Sequence, residues 1–400
     1  MVALKASPYL CIFLAAAVAS LAAWDPLACC AQDALTAPAR TLVVTQGWVC
    51  LVNTRAELMC KLLGRDEGRQ IKDWEYRLPT LEQVAGVSDV LELDAHGKYL
   101  CALDKRGAVQ CWGCVSDHDC KLWPSQVALP EPAQHIAVSS DGACALLRSG
   151  AIQCWGAAPA TRVKDQGGHW YERPTAVALA RDVKQLVAAA HGYCALHAGG
   201  TVSCWGGCAD AACRPALPTR IAGVEDASMI ASGLSFGCAI VGPQRDVSCW
   251  GLSEQTLRAA SQGNAPAEHL LEAATRIPGL RDIKQLAAGH LFAVALANDG
   301  AVYHWGGYYE PGIRQLGRAA QTDPSESPRQ HTPLLVDLRP ARIGDVRARA
   351  AIVGNNYLCL QTEQTELICE RALARTKPFN VREAWPQVRF ELPHAPRASP

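Results

Sequence analysis

The sequence predicts an all-β fold made of repeated four-stranded modules of the propeller type. Three observations carry that prediction: a hairpin phrase that recurs seven times, a second strand-like word that recurs between the hairpins, and cysteines paired across six of the seven hairpins. The hairpin phrase reads GWVCLVNTRAELMC (Gly47–Cys60), GKYLCALDKRGAVQCWG (Gly97–Gly113), GACALLRSGAIQCWG (Gly142–Gly156) and GYCALHAGGTVSCWG (Gly192–Gly206). It continues as FGCAIVGPQRDVSCWG (Phe236–Gly251), LFAVALANDGAVYHWG (Leu291–Gly306) and NYLCLQTEQTELIC (Asn356–Cys369). The first slot falls at 50, 101, 144, 194, 238, 294 and 359, in steps of 43 to 65 residues. That is the range of blade-type repeats rather than helical solenoids.

The second word is P-x-x-V: PSQVAL (Pro124–Leu129), PTAVAL (Pro174–Leu179) and PTRIAG (Pro218–Gly223), each starting twenty residues before the next first cysteine. PTLEQVAGV at Pro79 and TPLLVDL at Thr332 are looser versions. Between the two words lie apolar runs such as DVKQLVAA (Asp182–Ala189) and DIKQLAAG (Asp282–Gly289). Each unit therefore holds about four short β-favourable runs separated by Gly and Pro, as expected for a four-stranded blade. Glycines 107, 150, 200 and 300 serve the hairpin turns.

The P-x-x-V strand, the C-A-L-x-x-x-G-x-V-x-C-W-G hairpin and Arg314-Gln315-Leu316-Gly317 after Trp305-Gly306 resemble the regulator of chromosome condensation repeat family, in its cysteine-rich exported bacterial version. The resemblance covers roughly residues 41–392 and implies a seven-bladed β-propeller. Relatives of that family include a nuclear nucleotide-exchange factor and secreted propellers resembling β-lactamase inhibitory proteins. The chain then divides into a signal peptide (1–31), an N-terminal linker (32–40), the propeller (41–393) and a C-terminal tail (394–400). The first hairpin has no P-x-x-V word upstream, whereas WPQVRFELP (Trp385–Pro393) echoes WPSQVALP (Trp123–Pro130) with no hairpin after it. The expectation is that this C-terminal strand completes the first blade and clasps the ring, since an open ring would leave blade edges exposed.

Cys101 and Cys111 lie symmetrically about Arg106, and directly opposed strand residues come close enough for a disulfide after a small adjustment. The same frame pairs Cys50–Cys60, Cys144–Cys154, Cys194–Cys204, Cys238–Cys249 and Cys359–Cys369. In the sixth hairpin Val294 and His304 replace both cysteines together. Cys114–Cys120 and Cys208–Cys213 read as clips in the loops after W-G. Asp117, His118 and Asp119 inside the first clip lack the ligand spacing of structural zinc, so no metal or cofactor is expected. Eight bridges use sixteen cysteines and leave Cys11, Cys29 and Cys30.

The N-terminus joins Lys5 to sixteen nearly unbroken apolar residues, Tyr9–Trp24, followed by Asp25-Pro26 and small residues. This is the plan of a secretory signal, and the run is short for a membrane span. Cleavage after Ala31, cleavage near Ala22 or Ala23, and lipidation at Cys29 or Cys30 are all open. The first leaves no odd thiol and is favoured on that count. The expected compartment is extracellular, periplasmic or cell-envelope, which also suits disulfides. Thirty-eight basic and thirty-eight acidic residues cancel, which argues against a nucleic-acid partner.

Catalytic signals are weak. GLSFG (Gly233–Gly237) matches a nucleophile pattern, but the frame places Ser235 at the entry to a hairpin strand, where a hydrolase needs a strand–turn–helix. No HExxH zinc motif, phosphate loop or dinucleotide fingerprint is present, and the chain is expected not to be an enzyme. Ser253–Arg276 contains a short helical pattern around Glu268–Ala274. The W-G tryptophans (Trp112, Trp155, Trp205, Trp250 and Trp305) suit blade-to-blade packing. The connections after W-G are variable and aromatic, and offer Trp74, Tyr76, Trp123, Trp170, Tyr171, Tyr308 and Tyr309 as candidate binding residues. Clustered Trp and Tyr on one rim would fit a protein or glycan partner. A secreted inhibitor of an envelope enzyme, or a hydrolase or lyase assembled from loops, are the alternatives.

Overall fold

The computed structural model describes residues 42–44, 48–52, 56–62, 82–116, 119–140, 142–156, 162–164, 170–172, 174–177, 182–189, 192–205, 218–261, 270–309, 334–354, 357–362, 366–371 and 390–391. Ala39–Pro400 is one compact unit, and its described residues form seven antiparallel blades. Blade one comprises Leu42–Val44, Trp48–Val52, Leu58–Leu62 and Glu82–Gln83; blade two comprises Val90–His96, Lys98–Asp104, Val109–Ser116 and Asp119–Gln126. Blade three pairs Ala133–Ser139, Gly142–Leu147, Ile152–Gly156 and Thr175–Ala176, and blade four pairs Val183–Ala189, Gly192–His197, Val202–Trp205 and Thr219–Arg220. Blade five contains Ala227–Ser232, Gly237–Val241, Asp246–Trp250 and Thr275–Arg276.

Blades six and seven share one seven-stranded sheet. Ile283–Ala288, Phe292–Ala297 and Ala301–Tyr309 are followed by the twenty-residue strand Leu334–Val353. Its first part is the outer strand of blade six, and its last part, from Ala348, pairs with Tyr357–Thr362 as the inner strand of blade seven. Glu366–Arg371 and Phe390–Glu391 complete blade seven. The first strands of the blades touch one another in cyclic order, and Leu42–Val44 touches both Val90–His96 and Leu334–Val353. That last contact closes the circle.

The C-terminal strand does not join the first blade. Phe390–Glu391 pairs with Glu366–Arg371 of blade seven (Leu367 opposite Phe390), while blade one has its own fourth strand, Glu82–Gln83 opposite Cys60 and Met59. The reason is the phase of the repeat. The P-x-x-V word is the outer strand of the hairpin that precedes it: the Val84, Val127, Val177 and Ile221 amides donate to Leu58, Val109, Ile152 and Val202 carbonyls at 2.9, 2.9, 3.0 and 2.9 Å. A repeat thus begins with its apolar inner strand and ends with P-x-x-V, and among the described residues blade one already holds its own outer strand. The sixth copy of the word is Pro340-Ala341-Arg342-Ile343 rather than the stretch at Thr332, with Arg342 opposite Tyr303 and Ile343 fully buried.

The hairpin phrase encodes both faces of a blade, because successive strand residues point to opposite sides. Cysteine and leucine of C-A-L face the next blade, and alanine faces the previous one. Cys194, Leu196, Val202 and Cys204 of blade four pack in one cluster with Ala239 and Trp250 of blade five. Cys238, Ile240, Val247 and Cys249 of blade five pack likewise with Ala293, Ala295 and Trp305 of blade six. Trp112 and Trp155 follow the same rule against blades one and two, and Trp205 against blade three. All five tryptophans are buried, which assigns them to packing rather than to a ligand. The disulfides Cys50–Cys60, Cys101–Cys111, Cys144–Cys154, Cys194–Cys204 and Cys238–Cys249 span Cα separations of 4.0–4.1 Å. Cys359 is also disulfide-bonded, and Cys369 lies opposite it in register. Each bridge stays within its blade, and those of blades one to five form part of the floor on which the next blade's tryptophan rests.

Side chains on the inner strands add a latch between blades. Gln185 donates to the Ile230 carbonyl (2.8 Å) and accepts from its amide (2.9 Å). Gln285 makes the same pair with Ala351, at 2.8 and 3.1 Å. Glu92 accepts from the Ile136 amide at 3.3 Å and Met229 sulfur from the Leu286 amide at 3.4 Å. A register shift next to each of these four residues marks a bulge, and a bulge re-aims a side chain. Hairpin turns dock onto the next blade as well. The Gly107 carbonyl accepts from the Ala133 amide at 2.9 Å, and a Cβ on Gly107 (φ +94°) would meet Pro132 Cβ at 2.5 Å.

The α-helix falls at Glu254–Ser261, upstream of the pattern read at Glu268–Ala274. Ser253 caps it by accepting from the Thr256 amide at 3.1 Å, and Arg258 bonds Glu254 one turn back at 2.7 Å. Leu270, inside the expected helix, instead fills the core between blades four and five.

Candidate functional site

The second and third strands of each blade pair so that W-G lies beside the start of the second strand. Gly113 faces Tyr99, Gly156 faces Gly142 and Gly306 faces Phe292. The connections that follow W-G therefore leave from the end at which inner strands turn into hairpins. Three of them are built as further antiparallel ladders rather than bare loops. Val109–Ser116 and Asp119–Gln126 pair out to Ser116 opposite Asp119, with Cys114 opposite Cys120. Arg162–Lys164 pairs with Trp170–Glu172 in a separate two-stranded ribbon. Tyr308 and Tyr309 lie opposite Leu335 and Leu334 at the far end of the blade-six sheet.

These ladders place the candidate aromatics. Trp123 stands on the outer strand of blade two and is 77% exposed, while Leu335 beside Tyr308 is 43% exposed. Trp170 and Tyr171 occupy the ribbon after blade three, and Tyr308 and Tyr309 end the third strand of blade six. Trp74, Tyr76, Cys208 and Cys213 lie outside the described residues.

Ser235 is buried in the four-residue turn, 233–236, between Ala227–Ser232 and Gly237–Val241, closed by the Gly233 amide on the Phe236 carbonyl at 2.9 Å. A strand follows it, so the strand–turn–helix of a hydrolase elbow is absent at this serine. The GLSFG glycines have packing roles: a Cβ on Gly233 would meet the Phe236 ring at 2.3 Å, and one on Gly237 would meet the Trp250 indole at 2.2 Å.

At the centre of the same face, His96 from blade two and His290 from blade six bring their rings to a centroid distance of 5.7 Å, tilted by 34°. Sequence spacing gave no hint of this pair, because the two residues belong to distant repeats. Their shared place at the end of an inner strand was the available signal. Among the described residues no group of three or more His, Cys, Asp or Glu is arranged to hold a metal ion. No described helix is long and apolar enough to cross a membrane. On the opposite face, at the hairpin turns, burial raises the Asp104 pKa, but hydrogen bonds from the Ala108 amide and from Arg106 outweigh it and hold the carboxyl below its ordinary value.

The ring of four-stranded blades is a seven-bladed β-propeller, a fold the chain shares with solved RCC1-type structures. Over 90 residues it is 37% identical to Protein RCC1 of Candida albicans, a segment spanning 22% of this chain and 19% of that relative. Prp20p of Saccharomyces cerevisiae, described with its binding properties to Gsp1p and histones, superposes with a TM-score of 0.52 at 19% identity and 76% coverage of both chains. Human WBSCR16 superposes at 0.53 with 16% identity, covering 73% of this chain and 78% of its own. No family model matches the chain.

Proposed function

We propose that the protein is an exported, non-enzymatic propeller scaffold that binds a protein partner through the connections after W-G. The observation that carries the reading is the set of extended ladders on one face, one of which holds Trp123 at 77% exposure. A large aromatic ring on a rigid strand offers contact area with little entropy lost on binding, as binding hot spots require. The disulfides within the blades suit an oxidising compartment. A scaffold role accords with the fold shared with Prp20p, whose own partners are proteins. A glycan would use the same aromatics by stacking.

The test is affinity capture of envelope and extracellular proteins on the immobilised chain, with bound species quantified for the parent, Trp123→Ala and Trp170→Ala/Tyr308→Ala. A specific partner lost from the variants supports the proposal. Capture that the variants leave unchanged overturns it, and so does turnover of an ester or polysaccharide that Ser235→Ala abolishes.

A further inference from the structure

Blade two ends its inner strand on His96, and blade six begins the corresponding turn on His290. The two blades are far apart in the chain and not neighbours in the circle of inner strands, yet the rings stand 5.7 Å apart between centroids. The backbone at each is set by its surroundings. His96 pairs in register with Tyr99. The His290 carbonyl accepts from the Leu234 amide of blade five at 3.1 Å, and its turn is closed by the Gly289 amide on the Phe292 carbonyl at 2.9 Å. Both side chains are half-buried, so neither ring has the freedom of a surface histidine.

We propose that His96 and His290 form a two-histidine site for a divalent transition ion of the Zn²⁺, Cu²⁺ or Ni²⁺ class at the mouth of the propeller axis. Imidazole nitrogen suits these ions. An ion shared by the two rings, with metal–nitrogen bonds of about 2.0–2.1 Å, would stand about 3.2 Å from each centroid, so a separation of 5.7 Å admits a nitrogen–metal–nitrogen angle of about 125°. That is wider than the tetrahedral angle and close to the trigonal one, and the rings are tilted by 34° rather than stacked. Water fills the remaining positions, which leaves the ion open toward the face that carries the aromatic ladders. Asp141 and His191 lie outside the described residues and are not counted in the site. Bound metal ties blade two to blade six across the ring, so it stabilises the folded form by mass action.

The experiment uses the full chain, stripped with chelator and titrated with Zn²⁺ by calorimetry, and with Cu²⁺ followed by electron paramagnetic resonance. The expected result is one saturable ion per chain, with hyperfine coupling to two imidazole nitrogens on copper and a rise in melting temperature on adding Zn²⁺. His96→Gln and His290→Gln each abolish the stoichiometric ion and the rise, whereas His135→Gln keeps both. Far-ultraviolet circular dichroism of the metal-free variants confirms their fold. No saturable binding, or binding that survives in both His96→Gln and His290→Gln, overturns the proposal. Loss of the ion with partner capture intact would separate this site from the binding role above.

Discussion

The glutamine latches between blades make a quantitative prediction. An inner strand uses one edge for its own blade, and the other edge faces the axis, where an unpaired amide or carbonyl is a liability. Gln185 answers both groups of Ile230 at 2.8 and 2.9 Å, and Ile230 itself is 1% exposed. Truncation by Gln185→Ala leaves two backbone groups without that partner. Each orphaned buried group costs about 1–3 kcal/mol, and relaxation or a water recovers part of it, so the net loss is about 2–3 kcal/mol. Hydrogen exchange with peptide resolution is the assay, since it reports opening of one segment rather than of the whole ring. Protection of the peptide containing Ile230 should fall about 30- to 150-fold, the equivalent of that free energy. Gln285→Ala should do the same at Ala351, and the double variant should be additive because the two interfaces share no residue. Unchanged protection at both Ile230 and Ala351 would refute the latch.

Other outcomes follow from the same geometry. Trp250→Ala should cost about 3–5 kcal/mol in urea unfolding. Trp250→Phe should cost much less, because the buried indole N–H has no hydrogen-bond partner to lose. Gly107→Ala should be markedly worse than Gly150→Ala: both have positive φ, but a Cβ at Gly107 runs into Pro132 and Ala133, whereas at Gly150 the nearest atom is 4.0 Å away. Because the folded Asp104 pKa is lowered, the stability it contributes is present above the unfolded value and is lost as pH falls through the folded one. The gap in melting temperature between parent and Asp104→Asn should therefore narrow on acidification below about pH 4. Removing residues 384–400 should loosen blade seven alone, whereas removing the strand Leu42–Val44 should open the ring and lower global stability; the reverse order would restore the clasp.

The hairpins were legible in the sequence because their signal is local: two cysteines, a Gly turn and a W-G ending within about seventeen residues. The four-strand content of each unit was legible for the same reason. The phase was not, because P-x-x-V lies between two hairpins and only hydrogen bonds such as Val127 to Val109 decide which one it joins. Two further copies of that word, Ala274-Thr275-Arg276-Ile277, in which alanine replaces proline, and Pro340–Ile343, are fainter in the sequence, and both pair with the hairpin before them. The latches were hidden because a glutamine in an apolar strand carries no mark of its partner a blade away. On the candidate face, the aromatic connections stood out by composition, but the approach of His96 to His290 arises only when the ring closes.

The fold depends most on each hairpin being a self-contained oxidised module stacked on its neighbours. Peptide mapping of the non-reduced protein tests this most directly. It should return Cys50–Cys60, Cys101–Cys111, Cys144–Cys154, Cys194–Cys204 and Cys238–Cys249, each within one hairpin. Links that join cysteines of different hairpins, or free thiols at these positions, would contradict it.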